Sequence, residues 1–314
     1  MLDLICVGMA LVDSIIRGFD PQPVSASGYR AVSGTLSAGG EAVNEAAAAA
    51  KLGLKTGILC GLGADPAGDM VVSALERAGV NTERIIRNGM TPVTTMFVRG
   101  DGTRRSITNE AHRQNFHPEK APELFTDAKA LMLGSLFRTP FDDADIIRTV
   151  LSSAKHTGQI VFADTKLPNF RSLGLVDLKE ALPLIDYITP NEDEAKHFTG
   201  KDSPDAMADV FLGFGVRHVI IKLGTKGCLL KSPDCRIRLQ AYPVNALDST
   251  GAGDNFLAGF ASEILKGKSP AEALRFANAC GAICTTAVGA GTALKDRGQV
   301  LEWMKTREDQ QPET

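Results

Sequence analysis

The chain has 314 residues, 44% hydrophobic and 23% charged, with a formal net charge of −3. That length fits one large domain with a smaller appended element, and the apolar content supports a sizeable core, which excludes wholesale disorder. The mild acidity argues against a nucleic-acid or anionic-membrane surface, and no apolar run reaches the roughly 20 residues of a membrane span.

The chain opens with the apolar run LDLICVG (2–8). Asp3 and Asp13 interrupt the apolar start, and it has neither a basic n-region nor a small-residue cleavage site, so it reads as a strand rather than a signal peptide. Residues 14–38 are rich in Ser, Gly and Pro and show no helical period. KTGILCGLG (55–63), KALMLG (129–134), QIVFAD (159–164), DYITPN (186–191) and RHVIIKLG (217–224) read as further buried strands. Between them, AGDMVVSALERAG (67–79), DADIIRTVLSSAKHTG (143–158) and DAMADVFLGFG (205–215) have amphipathic helical spacing. This alternation predicts a doubly wound α/β fold, a mainly parallel sheet with helices on both faces. VTTMFVRGDGTRRSITN (93–109) breaks the rhythm as two β-rich runs around a Gly-Asp-Gly turn. With 14–38 it predicts a small β-sheet projecting from a single domain of residues 1–314. Such a sheet would form a lid over the carboxyl ends of the strands; two ordinary surface excursions are the plainer alternative. From Asn255 onward the pattern is helical, with Ser269 and Pro270 as N-cap and first helical residue. The terminal DQQPET reads as frayed. Of the six cysteines, Cys6, Cys60, Cys228, Cys235, Cys280 and Cys284, none forms a CxxC pair, and the usage fits a reducing, cytoplasmic setting. Cys280 and Cys284 read as buried thiols rather than a metal pair.

The densest chemistry lies in DSTGAGDNF (248–256). Gly251, Ala252 and Gly253 open a helix whose small residues let a ligand approach the backbone, and whose free N–H groups attract anions. Asp254 sits in the first turn, where a carboxylate is comfortable even without a function. Together, an anion cradle and an adjacent base suit phosphoryl transfer to a hydroxyl.

DSTGAGDNFLAGFA (248–261) resembles the C-terminal signature of the ribokinase-like (PfkB) carbohydrate kinases, and GGEAVNEAAAAAKLG (39–53) resembles their N-terminal one. TPNEDE (189–194), KLGTKG (222–227) and FANACGAICTTAVGAG (276–291) follow the same family's order over nearly the whole chain. The resemblance implies an ATP-dependent kinase for a primary hydroxyl of a sugar or sugar-like acceptor, and a lid of the kind read above. It casts Asp254 as catalytic base and Gly251, Ala252 and Gly253 as the anion hole. Asn191 and Glu194 would order Mg2+ and its waters; on spacing alone the pair also reads as an analogue of a capping box. Lys222, Gly224, Thr225 and Gly227 would face the nucleotide, with Asn278 nearby; a tight strand corner and a helix–helix hydrogen bond are the plainer readings. On the acceptor side the resemblance implies Asp13, placed at the end of the first strand, for sugar hydroxyls. Gly39 and Gly40 allow close backbone approach and Asn44 offers an amide.

Two departures stand out. Where many relatives have Asp-x-Asn-x-Arg, this chain has DTKLP, with Lys166 at the asparagine position and Pro168 at the arginine position. Lys166 is a candidate contact for phosphate or a substrate carboxylate, or a solvated lysine. Asp248 and Thr250 match a monovalent-cation (K+) site, but Ala293 stands where a serine often contributes. Arg104 matches the lid's Gly-x-Arg, and with Arg99, Arg105 and Lys166 it puts positive charge near the lid mouth, which points to an acidic sugar. A nucleoside kinase is the alternative within the family, with Tyr29 and Phe97 the visible stacking candidates, and a non-catalytic sugar-binding protein the alternative outside catalysis. Lids of this family often pair, which implies a homodimer. SEILKGKS (262–269) fails as a P-loop because it continues a helix, and the first strand lacks Gly-x-Gly-x-x-Gly.

Overall fold

The structure, a computed structural model, describes residues 1–18, 30–99, 103–109, 116–169 and 171–307. Among the described residues the main sheet has eight strands: β1 (Leu2–Val7), β4 (Thr56–Leu59), β9 (Ala128–Leu136), β10 (Ile160–Thr165), β11 (Tyr187–Ile188), β12 (His218–Lys222), β13 (Cys228–Ser232) and β14 (Cys235–Leu239). Their spatial order is β14-β13-β12-β11-β10-β9-β1-β4. All pairings from β4 to β12 are parallel, and β13 and β14 add an antiparallel hairpin at the edge.

Both faces of this sheet are covered. Helices α1 (Glu41–Lys51), α2 (Pro66–Arg77), α6 (Ala252–Leu265), α7 (Pro270–Cys284) and α8 (Arg297–Lys305) share one apolar core. Helices α3 (Ala144–His156), α4 (Glu192–Thr199) and α5 (Pro204–Gly213) share the other. The sequence period explains the docking of α3. Its buried residues Ile147, Val150, Leu151 and Ala154 fall on one stripe, and each large one contributes about 1.5–3 kcal/mol on burial. Asp143 caps this helix by accepting from the N–H groups of Asp145 and Ile146.

A second, four-stranded sheet has the order β3-β2-β7-β8, from β2 (Leu11–Arg17), β3 (Ser33–Gly39), β7 (Val93–Val98) and β8 (Arg104–Thr108). Its first strand starts earlier than the composition suggested, so Asp13 lies within β2 and pairs with Ser37 and Thr94 rather than ending β1. The segment Gly8-Met9-Ala10 separates the two strands. The apolar run 55–63 is likewise divided at Cys60: β4 stays in the main sheet, while β5 (Gly61–Leu62) pairs with β6 (Ile86–Arg87). Strand β11 is shorter than the run 186–191, because Pro190 cannot donate to a ladder and Asn191 caps α4. Tyr29 and the Arg104 side chain lie outside what the structure describes. Among the described residues no helix is long and apolar enough to cross a membrane.

The strand order reverses beside β1, which has β4 on one side and β9 on the other. In open α/β sheets, ligand clefts form beyond the carboxyl ends of the strands near such a switch point.

Candidate active site

A cleft of about 1050 Å³ lies at that place. It is bordered by the starts of α1 and α6, the ends of β10 and β12, one side of α7, and the face of the small sheet that carries Asp13, Thr94, Met96, Ser106 and Thr108.

Helix α6 begins at Gly251, whose backbone is left-handed at φ 77°. A Cβ there would stand 2.2 Å from Ala290 Cβ, so no other residue fits this turn. The first-turn N–H groups of α6, those of Gly253 and Asp254 among them, have no helical carbonyl to donate to. They leave a positive helix end facing the cleft. Lys222 brings a second positive group to this spot: its Nζ lies 3.0 Å from where a Cβ on Gly253 would stand. The ammonium donates to Asp164 Oδ1 at 2.7 Å. Lys222 therefore sits beside the start of α6, while Gly224, Thr225 and Gly227 border the cleft together with Tyr242, Pro243 and Val244.

Asp254 is 5% exposed. Burial pushes its carboxyl up to about 6; the nearby charge of Lys166 acts in the opposite direction, Glu41 and Asp164 raise it further, and the Asn44 hydrogen bond lowers it. Asn44 Nδ2 donates to Asp254 Oδ2 at 2.7 Å, so the asparagine of the first helix orients the carboxylate of the sixth. Gly40, which precedes α1, has φ 98°, and a Cβ would clash with Met9 O at 2.3 Å.

Where the small sheet meets the cleft, Asp13 is also pushed up to about 6, by burial and then by the charge of Glu41. Lys166 lies 3.4 Å from Glu41 Oε1. Burial opposes its charge, but Glu41, Asp254, Asp164 and Glu194 together hold its pKa above the usual lysine value. It is neither a free solvated lysine nor a cation without a carboxylate.

Asn191 and Glu194 form a capping box. Asn191 Oδ1 accepts from Glu194 N at 2.9 Å, and Glu194 Oε2 accepts from Asn191 N at 3.0 Å and from Thr165 Oγ1 at 2.8 Å. Among the described residues no hydrogen bond reaches Glu194 Oε1, and the residue borders the cleft. A free carboxylate oxygen there suits a metal-bound water. Asn278, 8% exposed in α7, donates to Gln240 O at 2.6 Å, and its side chain also meets the cleft.

Gly39 and Asp248, singled out in the sequence, do not border the cleft. Gly39 lies behind Asp13, with 2.1 Å between a hypothetical Cβ and Asp13 Oδ2. Asp248 turns inward: Oδ1 accepts from Thr250 N and Oγ1 at 3.0 and 2.7 Å, and Oδ2 accepts from Gly289 N at 3.1 Å. In the same region Lys51 Nζ donates to the carbonyls of Gly291 and Leu294 at 2.6 and 3.1 Å. Cys280 and Cys284 are buried free thiols on α7.

Residues 1–297 match the pfkB family of carbohydrate kinases. The chain belongs to this family. It is 30% identical over 275 residues to the ribokinase of Haemophilus influenzae, covering 85% of this chain and 87% of that protein. It is 33% identical over 260 residues to the ATP-dependent ribose-1-phosphate kinase of Halopiger xanaduensis, covering 82% and 83%. The Arabidopsis thaliana ribokinase complexed with ribose and ATP superposes with a TM-score of 0.84 at 28% identity, over 97% of this chain and 99% of that one. The protein is thus a phosphotransferase, a sugar or nucleoside kinase of the pfkB family. That sets aside the non-catalytic reading.

Within this kinase, the sequence reading passed over Glu41, Glu45 and Asp164. Asp164 ends a buried strand beside the cleft, a position that could have marked it. Glu41 and Glu45 are four apart and so share one face of α1, the face that also meets Lys166 and Asp254.

Proposed function

We propose that this kinase transfers the terminal phosphoryl group of ATP to a primary hydroxyl of a neutral sugar or polyol, with Asp254 as general base. One observation carries the reading: Asp254 is buried at the open N-terminus of α6 and held by Asn44 at 2.7 Å, with a carboxyl near 6. At neutral pH it is ionised and able to take a hydroxyl proton, and the first-turn N–H groups and Lys222 stand ready for the phosphoryl oxygens. Mg2+ bound through water to Glu194 and Asn191 would neutralise charge on the transferring phosphate. The far end of the cleft, with Gly224, Thr225, Gly227 and Asn278, is the nucleotide end in this reading, and the small sheet is the lid over the acceptor.

The charge balance supports a neutral acceptor over an acidic one. Arg105 alternates away from Ser106 and Thr108, which face the cleft, and is exposed. Arg99 does not border the cleft, and Lys166 already faces Glu41. Asp13 and Glu41 would repel a substrate carboxylate. A sugar is supported over a nucleoside because Asp13, Asn44, Thr94, Ser106 and Thr108 offer hydroxyl, amide and carboxylate groups at that end. Phe97 lies on the other face of β7 from Thr94 and Met96. A panel of pentoses, hexoses, polyols, sugar acids and nucleosides in a coupled ADP-release assay tests this. Efficient turnover of sugar acids or nucleosides, with none of neutral sugars, would overturn the acceptor assignment.

A further inference from the structure

We infer that Glu45, Asp164 and Asp254 form a binding site for a hard divalent cation, separate from the nucleotide's own metal. Glu45 lies one turn into α1 and is 0% exposed, yet neither Oε1 nor Oε2 has a hydrogen-bond partner. An unpaired carboxylate in the interior is costly and demands compensation. Its side chain points into a cluster: one oxygen each from Glu45, Asp164 and Asp254 lies within 4.8 Å of the others. A cation about 2.0–2.5 Å from each ligand would set that spacing.

The lysines nearby do not meet the need. Lys222 is committed to Asp164 Oδ1 at 2.7 Å, and Lys166 faces Glu41 at 3.4 Å. Among the described residues no ammonium or guanidinium lies within 4.0 Å of Glu45 or Asp254. Coordination capacity remains on the aspartates. Asp164 Oδ1 accepts from Lys222, Thr189 and Thr165, which leaves its Oδ2, and Asp254 Oδ2 accepts from Asn44, which leaves its Oδ1. The backbone is also kept clear for Glu45. Gly134 lies within β9, where a Cβ would stand 3.0 Å from Glu45 Oε2. The neighbouring Ser135 Oγ is another buried polar atom without a partner.

Three carboxylates and no nitrogen or sulfur ligand select a hard ion such as Mg2+ or Mn2+. Without one, burial and the charges of Asp254, Asp164 and Glu41 push the Glu45 carboxyl far up, and a proton must balance the cluster instead. The inference leans on the proposed function only for its consequence. A cation on Asp254 occupies the group that would take the hydroxyl proton, so free metal in excess of nucleotide would compete with the acceptor.

The test is a Mn2+ titration of the full chain without nucleotide or acceptor at pH 7.5, followed by the electron paramagnetic resonance signal of free Mn2+. One Mn2+ per chain is expected. Glu45→Gln and Asp164→Asn should each weaken it by about ten-fold or more, and Glu194→Gln should leave it within about two-fold. Absence of a site in the wild type at millimolar Mn2+ would overturn the inference in favour of the proton, and needs no variant. Unchanged affinity in folded Glu45→Gln would overturn it as well. Neither result touches the kinase reading, which stands or falls on ADP release; a protein that binds Mn2+ here but phosphorylates nothing would sink that reading alone.

Discussion

Asp254→Asn separates the catalytic role of the carboxylate from its cost to the fold. The folded carboxyl titrates near 6 and the ordinary value is 3.8, chiefly because of burial. The difference is about 2 units, or about 3 kcal/mol, by which the ionised form is disfavoured in the folded chain relative to the unfolded one. Because the folded value is the higher one, wild-type stability rises as pH falls through about 6, and the gain is complete below 3.8. An asparagine has no such gain to make. The Asn44 bond is already counted in the value near 6, and the first-turn position of the carboxylate favours wild type by at most about 1 kcal/mol more. The variant should therefore be more stable than wild type at pH 7.5 by about 2–3 kcal/mol, a rise of about 3–5 °C in Tm. That advantage should nearly vanish at about pH 4. Loss of the base should lower kcat by about 100- to 10,000-fold, while binding of nucleotide and acceptor changes much less, since the cradle is backbone. Thermal unfolding at the two pH values and turnover on the same preparation measure all of this. Near wild-type turnover by the folded variant would refute the base; an equal loss of Tm at both pH values would refute the buried-charge argument.

Three further outcomes are expected. The kcat/KM profile of the wild type, which reports groups of the free enzyme, should fall as pH drops below about 6 and steepen as both Asp254 and Asp13 take up protons; a flat profile from pH 7 to pH 5 would count against both assignments. Glu194→Gln should lower kcat throughout a magnesium titration with little change in acceptor KM, and cost the fold about 1 kcal/mol through the weakened capping box and Thr165 bond; unchanged turnover would leave the residue a cap and nothing more. Lys51→Met should lower Tm, since two charged hydrogen bonds to the 291–294 loop are worth about 1.5–3 kcal/mol each at most. Wild-type turnover should be the same in K+ and Na+, with the Lys51 ammonium already seated in that loop, and the variant should respond to K+; strong K+ activation of the wild type would contradict this.

Much of the architecture was legible because its signals are local. Buried runs such as LDLICVG and QIVFAD became β1 and β10, and the Gly-Asp-Gly run between β-rich segments marked the small sheet. What was not legible depends on partners distant in sequence. The apolar start runs straight from Val7 to Leu11, so nothing in the pattern shows that Asp13 belongs to a different sheet. The β13–β14 hairpin is short and half polar, and only the tight corner at Lys222–Gly227 hinted at it. In the site, the motif residues Asn44 and Asp254 were visible, but not that the one bonds the other across 210 positions. Glu45 is the sharpest case. In an alanine-rich helix a glutamate reads as a solvated helix former, and only the packing of α1 against β9 and α6 shows it to be wholly buried.

The charges of the cleft constrain how a nucleotide could enter it. Among the described residues five carboxylates border the cleft, Asp13, Glu41, Asp164, Glu194 and Asp254, against three cations, Arg138, Lys166 and Lys222. ATP alone would add several negative charges to a site already negative. What offsets that repulsion is local: the α6 N-terminus and Lys222 lie together at one spot, so the phosphates are attracted there and repelled on either side. This arrangement favours one placement of the transferring phosphate more than it favours binding. It also explains why carboxylates are tolerated so near the proposed phosphate site. If Asp254 is the base proposed above, it must stay ionised to accept a proton, and a more positive cleft would pull its pKa down and weaken it in that role. Asp164 holds the Lys222 ammonium at 2.7 Å and Glu41 holds Lys166 at 3.4 Å, which moderates both cations near Asp254. Removing either acid should therefore lower the pH at which turnover falls off, even though neither touches the reacting atoms.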